Sequence, residues 1–243
     1  MTVGRHLDWD GCRNVRDLGG IRTADGRQTR WGAVVRSDTP DNLTAAGWSA
    51  LRAHGIRTVV DLRNDDERPA DATPRAAGLA TVRLPLDDLA DTEFWERCWD
   101  DGLDGSPLYY LPFMERKPDR CAAAVAAVAD APPGGVLVHC GIGRDRTGLV
   151  TMLLLAVVGV APDDIAADYQ LSADRLPPPG AGSGGNDQRR SAREALARRN
   201  TTGRAVLLAT LEAVDVEAQL HAGGLRDGHV AAVRARLLEP AGA

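Results

Sequence analysis

A cysteine and an arginine, separated by five residues, lie in the segment VHCGIGRDRTG at positions 138–148. Gly141 and Gly143 leave the loop after Cys140 open, so its backbone N–H groups can turn inward beside the start of a helix. Such a cradle binds anions and lowers the pKa of a thiol at its base. Arg146 adds a planar guanidinium that grips two oxygens of a phosphate. We therefore predict that the Cys140 thiolate attacks a bound phosphoryl group.

Two neighbours of this cysteine–arginine pair are expected to support it. We expect the Thr147 hydroxyl to donate a hydrogen bond to the sulfur. We expect His139 to hydrogen-bond the backbone beneath the loop. Three alternatives stay open: a strand-to-helix turn with a buried structural cysteine, a rhodanese-like sulfurtransferase, and a phosphate-binding module without catalysis. A Walker A loop does not fit, because GIGRDRTG lacks the lysine and has the wrong glycine spacing.

Strands and helices alternate in the chain before this loop. IRTVVDL, ATVRLPL and GGVLVHC have the pattern of buried strands. The pair Asp25-Gly26 predicts a tight turn between two strands, and LTAAGWSALRAHG predicts a helix that begins at Thr44 and ends at Gly55. Helical patterns fill the intervals at about 91–100, 106–115 and 118–131. The alternation predicts an α/β fold with a mostly parallel central sheet flanked by helices.

Helices replace strands after residue 149. TGLVTMLLLAVVGV is apolar over fourteen residues, which is too short to span a bilayer and predicts a buried helix. Further amphipathic segments predict a C-terminal helical lid over about 162–235, interrupted by a flexible Pro/Gly-rich loop at 176–187. We expect residues 1–243 to form a single domain.

The composition argues against several classes of function. A net charge of −5 provides no basic surface for nucleic acid or an anionic membrane. The four scattered cysteines show neither CxxC nor Cys/His ligand spacing, which argues against a zinc site or a disulfide framework. The predicted attack by Cys140 needs no cofactor. The start, MTVGRHLDWDG, has no apolar run. A cytoplasmic location is therefore the expectation, with export by a route without a signal peptide left open.

Five segments together resemble a known family. HCGIGRDRTG resembles the H-C-x5-R-[ST] signature of the cysteine-dependent protein tyrosine phosphatases, and more closely the H-C-x-x-G-K-D-R-T-G loop of the bacterial tyrosine/serine protein phosphatases. That family's other blocks, in the same order, are similar to NVRDLGG (14–20), VVRSD (34–38), VVDLRNDDE (59–67) and DYQLS (168–172). The resemblance implies a tyrosine phosphatase-like α/β fold with an added helical lid. It implies hydrolysis of phosphotyrosine without a metal, extended in some members to phosphoserine, phosphothreonine or phosphoinositides.

The resemblance also implies roles for residues of the loop. Cys140 would form a phosphocysteine, and Asp145 would protonate the leaving group and then activate water. The alternative for Asp145 is that it only orients Arg144 or caps the following helix. Arg144 stands where the family has lysine, and it either contacts a substrate phosphate or an acidic flank or is a solvated charge at the rim. The acids that compete with Asp145 are Asp87, Asp88 and Asp119. The expected phosphate-binding residues are Gly141, Ile142, Gly143, Arg144 and Arg146.

Other polar residues have two possible roles. Asp61 and Arg63 end a strand at the same sheet edge, where they either support the loop or select the substrate. Cys12 is a possible disulfide partner of Cys140 under oxidation. As for Asp61 and Arg63, the choice for Asn14, Arg16 and Asp17 lies between a scaffold role and a substrate contact, and the scaffold role is favoured. The expected partners are a phosphorylated protein or a small phosphomonoester, with inorganic phosphate as product, and no oligomeric state is predicted.

Overall fold

A five-stranded sheet forms the centre of the molecule. The computed structural model describes residues 4–68, 78–176 and 185–240. In chain order the strands are β1 (Arg16–Asp17), β2 (Val34–Ser37), β3 (Ile56–Asp61), β4 (Ala80–Arg83) and β5 (Gly135–His139). Their spatial order is β1-β2-β5-β3-β4, with β1 antiparallel to β2 and the other neighbours parallel. The mostly parallel α/β sheet that the sequence predicts is confirmed.

Helices flank this sheet and form the C-terminal half of the described chain. Three short 3-10 turns cover Pro40–Asn42, Asp65–Glu67 and Pro107–Tyr109. The α-helices are α1 (Ala45–Ala53), α2 (Thr92–Asp100), α3 (Tyr110–Arg116), α4 (Pro118–Ala129), α5 (Asp145–Val157), α6 (Pro162–Arg175), α7 (Gly185–Arg198), α8 (Gly203–Ala213), α9 (Val216–Ala222) and α10 (Asp227–Leu237). Among the described residues, no helix is both long enough and apolar enough to cross a membrane.

The two faces of the sheet bury separate apolar clusters, because successive side chains of a strand point to opposite faces. Val35, Val59 and Leu137 pack with Leu51 of α1 on one face. The other face carries the larger cluster, which contains residues of β2, β3 and β5 together with most of α4 and α5. Helix α5 is buried on nearly all sides, as its uniformly apolar sequence predicts. This central helix is therefore held firmly at the end of the central strand β5.

Local sequence signals account for most of the element boundaries. Thr44 caps α1 by accepting a hydrogen bond from the Gly47 N–H, and Pro162 occupies the first turn of α6. The predicted turn at Asp25-Gly26 is present. The strands expected on both sides of it are reduced to an isolated bridge and to the four residues of β2. The intervening backbone bonds other segments instead, through bridges to Val160 and Leu238.

The helices between 162 and 235 fall into two groups. Helices α9 and α10 contact α4 and α5, so they belong to the layer that covers the sheet. Helices α6 and α8 contact each other, and together with α7 they border a cavity beside the loop that follows β5. The predicted flexible loop at 176–187 lies mostly outside the described residues. The single domain and its lid stay predictions.

Candidate active site

The loop between β5 and α5 lies at the carboxyl edge of the sheet, where ligands bind in open α/β folds. Cys140 directly follows β5 and is 2% exposed. Helix α5 begins at Asp145, so the intervening N–H groups lie at a helix N-terminus. Gly143 has φ of +69°, and a Cβ there would lie 2.4 Å from the Ser37 carbonyl oxygen. Glycine is therefore required at this position both by backbone conformation and by space.

Two polar side chains, Asn14 just before β1 and Arg36 of β2, hold the loop from behind through hydrogen bonds to its carbonyl oxygens. Asn14 Nδ2 donates to the carbonyl oxygens of Ile142 at 3.0 Å and Gly143 at 3.1 Å. Arg36 of β2 donates to the same Gly143 oxygen at 2.8 Å. In a planar trans peptide the N–H points opposite to the carbonyl, so the N–H groups of Gly143 and Arg144 are directed away from these anchors. The rear contacts therefore orient donors toward the side where Cys140 opens to solvent.

A buried carboxylate joins this scaffold to α6. Asp168 is ion-paired with Arg16 at 3.1 Å, with Arg36 at 2.8 Å and with Arg5 at 2.6 Å. Burial alone would raise the pKa of the Asp168 carboxyl, but the three guanidinium charges hold it well below its usual range. Ser172, one turn later, accepts a further hydrogen bond from Arg16 at 3.0 Å. The segments NVRDLGG, VVRSD and DYQLS thus meet beneath the loop, and the roles of Arg36 and Asp168 were not predicted.

The candidate supporting residues His139, Asp61 and Arg63 form a second buried group. His139 Nδ1 lies 3.1 Å from the Cys140 carbonyl oxygen, and its Nε2 lies 3.6 Å from Asp61 Oδ1. Arg63 pairs with both oxygens of Asp61 at 3.0 and 2.9 Å, and with Asp41 at 2.7 Å. Burial opposes ionisation of Asp61, but the Arg63 hydrogen bonds and His139 outweigh it and lower the pKa of that carboxyl to about 2. These contacts favour support of the loop over selection of substrate.

The guanidinium of Arg146 is held from outside by two carboxylates. Glu67 accepts hydrogen bonds from Nη1 and Nη2 of Arg146, the second at 2.6 Å. Asp87 Oδ2 lies 3.1 Å from the same Nη1. Burial alone would lower the pKa of Arg146, but Glu67, Asp87 and Cys140 raise it well above its ordinary value. Among the described residues, the Nε–H edge of Arg146 has no hydrogen-bond partner. That edge is available to an anion on the loop.

Glu67 was not singled out from the sequence. It ends the segment VVDLRNDDE and closes a 3-10 turn whose Asn64 caps it. The hydrogen bonds to Arg146 counteract burial and lower the pKa of the Glu67 carboxyl, which keeps it a charged partner. A built Cβ on Gly141 would lie 3.8 Å from Glu67 Oε2, so this carboxylate also overhangs the loop.

A pocket of about 240 Å³ opens above the sulfur of Cys140. Its floor is polar and its outer wall is aromatic. Trp99 is 55% exposed and Leu89 is 42% exposed, and both border the opening. The Trp99 ring stacks on Trp95 with 6.3 Å between centroids. The pocket is lined by Cys140, Gly141, Ile142, Asp145 and Arg146 of the loop, and by Glu67, Asp87, Leu89, Trp95, Trp99, Asp104, Gly105 and Tyr109.

Three aspartates line this pocket, and two of them, Asp145 and Asp87, have clearly different environments. Asp145 pairs with the neighbouring Arg144 at 2.9 Å, and its backbone carbonyl accepts a hydrogen bond from the Tyr110 hydroxyl at 2.7 Å. Asp87 accepts from Asn64 at 2.9 Å, and burial raises the pKa of its carboxyl. The other competing acids lie elsewhere in the described structure. Asp88 is ion-paired with Lys117 and Arg120, and Asp119 is paired with Arg120.

The remaining expectations meet mixed outcomes. Arg144 borders the cavity next to the pocket and, in the described structure, is not part of the pocket wall. Thr147 is fully buried, and its hydroxyl has no hydrogen-bond partner among the described residues. All four cysteines are free, and burial raises the pKa of the Cys12 thiol to about 12, which disfavours its reactive thiolate. The described residues contain no group of three or more His, Cys, Asp or Glu side chains that could hold a metal ion.

The fold and the site define an α/β protein that has a buried cysteine and an arginine together in the loop between the central strand and a helix. Residues 7–239 match the model described as the tyrosine phosphatase family. The chain belongs to that family, and the resemblance seen in the sequence is confirmed.

Named relatives agree with this assignment. A candidate tyrosine-protein phosphatase of Cupriavidus necator is 34% identical over 177 residues, which cover 71% of this chain and 65% of the relative. The triple specificity protein phosphatase PtpB of Mycobacterium tuberculosis is 33% identical over 196 residues, with 69% of each chain covered. Thus the chain spans about two thirds of the length of these relatives. The crystal structure of Pseudomonas aeruginosa TpbA aligns with 73% of this chain and 86% of its own, at 23% identity and a TM-score of 0.33. The family match and the two named relatives give no support to a sulfurtransferase or an inactive module.

Proposed function

We propose that this protein hydrolyses phosphotyrosine monoesters through a phosphocysteine formed on Cys140, without a metal or cofactor. The observation that carries the proposal is the convergence of Cys140, the loop residues Gly141 and Ile142, and Arg146 in one pocket. Membership in the tyrosine phosphatase family supports the same chemistry. We propose that the whole chain acts as one catalytic domain on a phosphorylated protein or a small phosphomonoester in the cytoplasm.

Substrate binding uses the donors of the loop. The N–H groups of Gly141, Ile142 and Gly143 and the free edge of Arg146 bind the three non-bridging phosphate oxygens. Glu67 fixes the guanidinium from its other edge, so Arg146 loses little freedom when phosphate binds. Because charge on these oxygens changes as the phosphoryl group transfers, donors positioned in advance stabilise the transition state.

Chemistry proceeds in two steps. The Cys140 thiolate attacks phosphorus, the bond from phosphorus to the leaving oxygen breaks, and Asp145 gives that oxygen a proton. Asp145 then takes a proton from water as the water attacks the phosphocysteine, which releases inorganic phosphate and the thiolate. The buried Thr147 hydroxyl makes no hydrogen bond to another described residue, and in this scheme it turns to donate to the sulfur when the sulfur leaves. His139 orients the cysteine backbone and transfers no proton in this scheme.

The aromatic wall of the pocket favours phosphotyrosine over phosphoserine. Trp95 and Tyr109 are buried in the wall, whereas Trp99 presents more than half of its surface at the opening. A phenyl ring attached to a phosphate on the loop reaches this wall and packs against it. A phosphoserine side chain carries no ring to make the same contact.

A hydrolysis panel with a chelator present tests the proposal. The panel compares a phosphotyrosine peptide with a phosphoserine peptide of the same sequence and with a phosphoinositide. We expect turnover of the phosphotyrosine peptide that is insensitive to the chelator and inhibited by vanadate. Loss of turnover on chelation would reject the metal-free route. Transfer of sulfur from thiosulfate to cyanide without phosphate release would assign the protein to the sulfurtransferases.

A further inference from the structure

A second cavity adjoins the catalytic pocket on the side of α6, α7 and α8. Its volume is about 490 Å³, compared with about 240 Å³ for the pocket above Cys140. Gly105 borders both spaces, and the ion pair between Arg144 and Asp145 spans the wall between them, with Arg144 on one side and Asp145 on the other. We call this space the flank cavity; its border includes Gly105, Pro107, Arg144, Tyr169, Arg193 and Arg204.

The charged groups in the wall of the flank cavity are mostly cationic. Arg144 donates from Nε to Asp145, and from Nη2 to Asp145 and the Gly105 carbonyl. Among the described residues, its Nη1 has no hydrogen-bond partner. Arg193 is exposed, and within the described structure it makes no ion pair. Arg204 is already neutralised by Asp163. Among the described residues of this wall, Asp174 is the one acidic side chain. Two guanidinium groups therefore offer unused donors to the same space, and an anion complements them.

We propose that the flank cavity binds an acidic side chain of the substrate, located within a few residues of the phosphorylated tyrosine. The inference rests on the proposed function. Successive Cα atoms are about 3.8 Å apart, so a residue close to the phosphotyrosine reaches a cavity that shares a wall with the pocket. Guanidinium groups pair with carboxylates through two parallel hydrogen bonds, which an amide of the same shape cannot match in charge. Arg193 and the Nη1 group of Arg144 are the specificity-determining groups.

Matched peptides isolate the charge of the flanking residue. Each pair consists of one phosphotyrosine peptide with Glu, and one with Gln, at the same position on either side of the phosphotyrosine. Hydrolysis of each pair is measured as kcat/KM with the wild type, Arg193→Gln, Arg193→Glu and the control Arg190→Gln. The control removes the same charge from the same helix, but Arg190 pairs with Glu194 and does not border the cavity in the described structure.

We expect the wild type to prefer the Glu peptide of at least one pair by about fivefold, as for one ion pair at a partly exposed site. The preference disappears in Arg193→Gln, reverses in Arg193→Glu, persists in Arg190→Gln and weakens with added salt. Equal rates for all pairs in the wild type would overturn the flank cavity proposal, as would an equal loss in Arg190→Gln and Arg193→Gln. If no phosphotyrosine peptide is hydrolysed at all, the proposed function itself fails, so the two failures are distinguishable.

Discussion

Trp99 offers a direct test of how the pocket selects an aromatic phosphomonoester. In Trp99→Ala the substrate ring loses the stacking partner at the opening, while the loop and Arg146 are left in place. A favourable aromatic pair contributes about 0.5–1.5 kcal/mol beyond area burial. This corresponds to a reduction of about 2- to 12-fold in kcat/KM for phosphotyrosine. Because Trp99 is already 55% exposed, we expect little effect of the substitution on folding.

The assay compares one peptide sequence carrying either phosphotyrosine or phosphoserine. Trp99→Ala is expected to lower kcat/KM for the phosphotyrosine peptide and not for the phosphoserine peptide. Trp99→Phe is expected to retain most of the wild-type kcat/KM for the phosphotyrosine peptide. Trp31→Ala is the matched control, because Trp31 is 41% exposed and packs over Gly19 and Gly20, away from the pocket. An equal loss for both peptides, or no loss for phosphotyrosine, would refute the assignment of the aromatic wall to substrate selection.

Three further substitutions test other parts of the site. Asp145→Asn is expected to slow an alkyl phosphate much more than p-nitrophenyl phosphate, whose leaving group needs no proton; equal losses would place the acid elsewhere, with Asp87 next in line. Glu67→Gln removes a charge-assisted contact to the Arg146 guanidinium, so it is expected to weaken vanadate inhibition by about 10- to 100-fold, whereas the exposed Asp66→Asn leaves it unchanged. Asp61→Asn tests stability. The pKa of Asp61 falls from 3.8 to about 2 on folding, so its contribution of about 2 kcal/mol is present at neutral pH and is lost as the pH falls from 3.8 toward 2. Urea unfolding of both proteins across this range is expected to show the difference shrinking; a constant difference contradicts the assignment.

The loop and its position in the fold could be predicted from the sequence. An apolar run ending at Cys140, two glycines and a second apolar run were enough to predict strand β5, an anion-binding loop and helix α5, because each signal is local. The alternation of elements predicted a mostly parallel sheet for the same reason. The positions of Cys140 and Arg146 in one pocket follow directly from that local structure.

The contacts that hold the loop were harder to predict, because they join distant parts of the chain. Glu67 lies 79 residues from Arg146, and Arg36 lies 132 residues from Asp168. No periodicity encodes such pairs. The orientation of the Arg144 side chain could not be predicted from the sequence either, because it depends on a hydrogen bond to the carbonyl of Gly105 in another loop. These residues lie in segments that resemble a known family, but their spacing in the sequence does not predict which residues they contact.

The central claim is that phosphate passes through a covalent bond to the sulfur of Cys140. Acid quenching during turnover of a labelled phosphotyrosine peptide, followed by phosphorus NMR and peptide mapping, detects that intermediate directly. We expect a phosphocysteine at Cys140 in the wild type and none in Cys140→Ser, which retains phosphate binding. Substantial turnover by Cys140→Ser, or release of phosphate from the wild type with no label on the protein, would contradict the account.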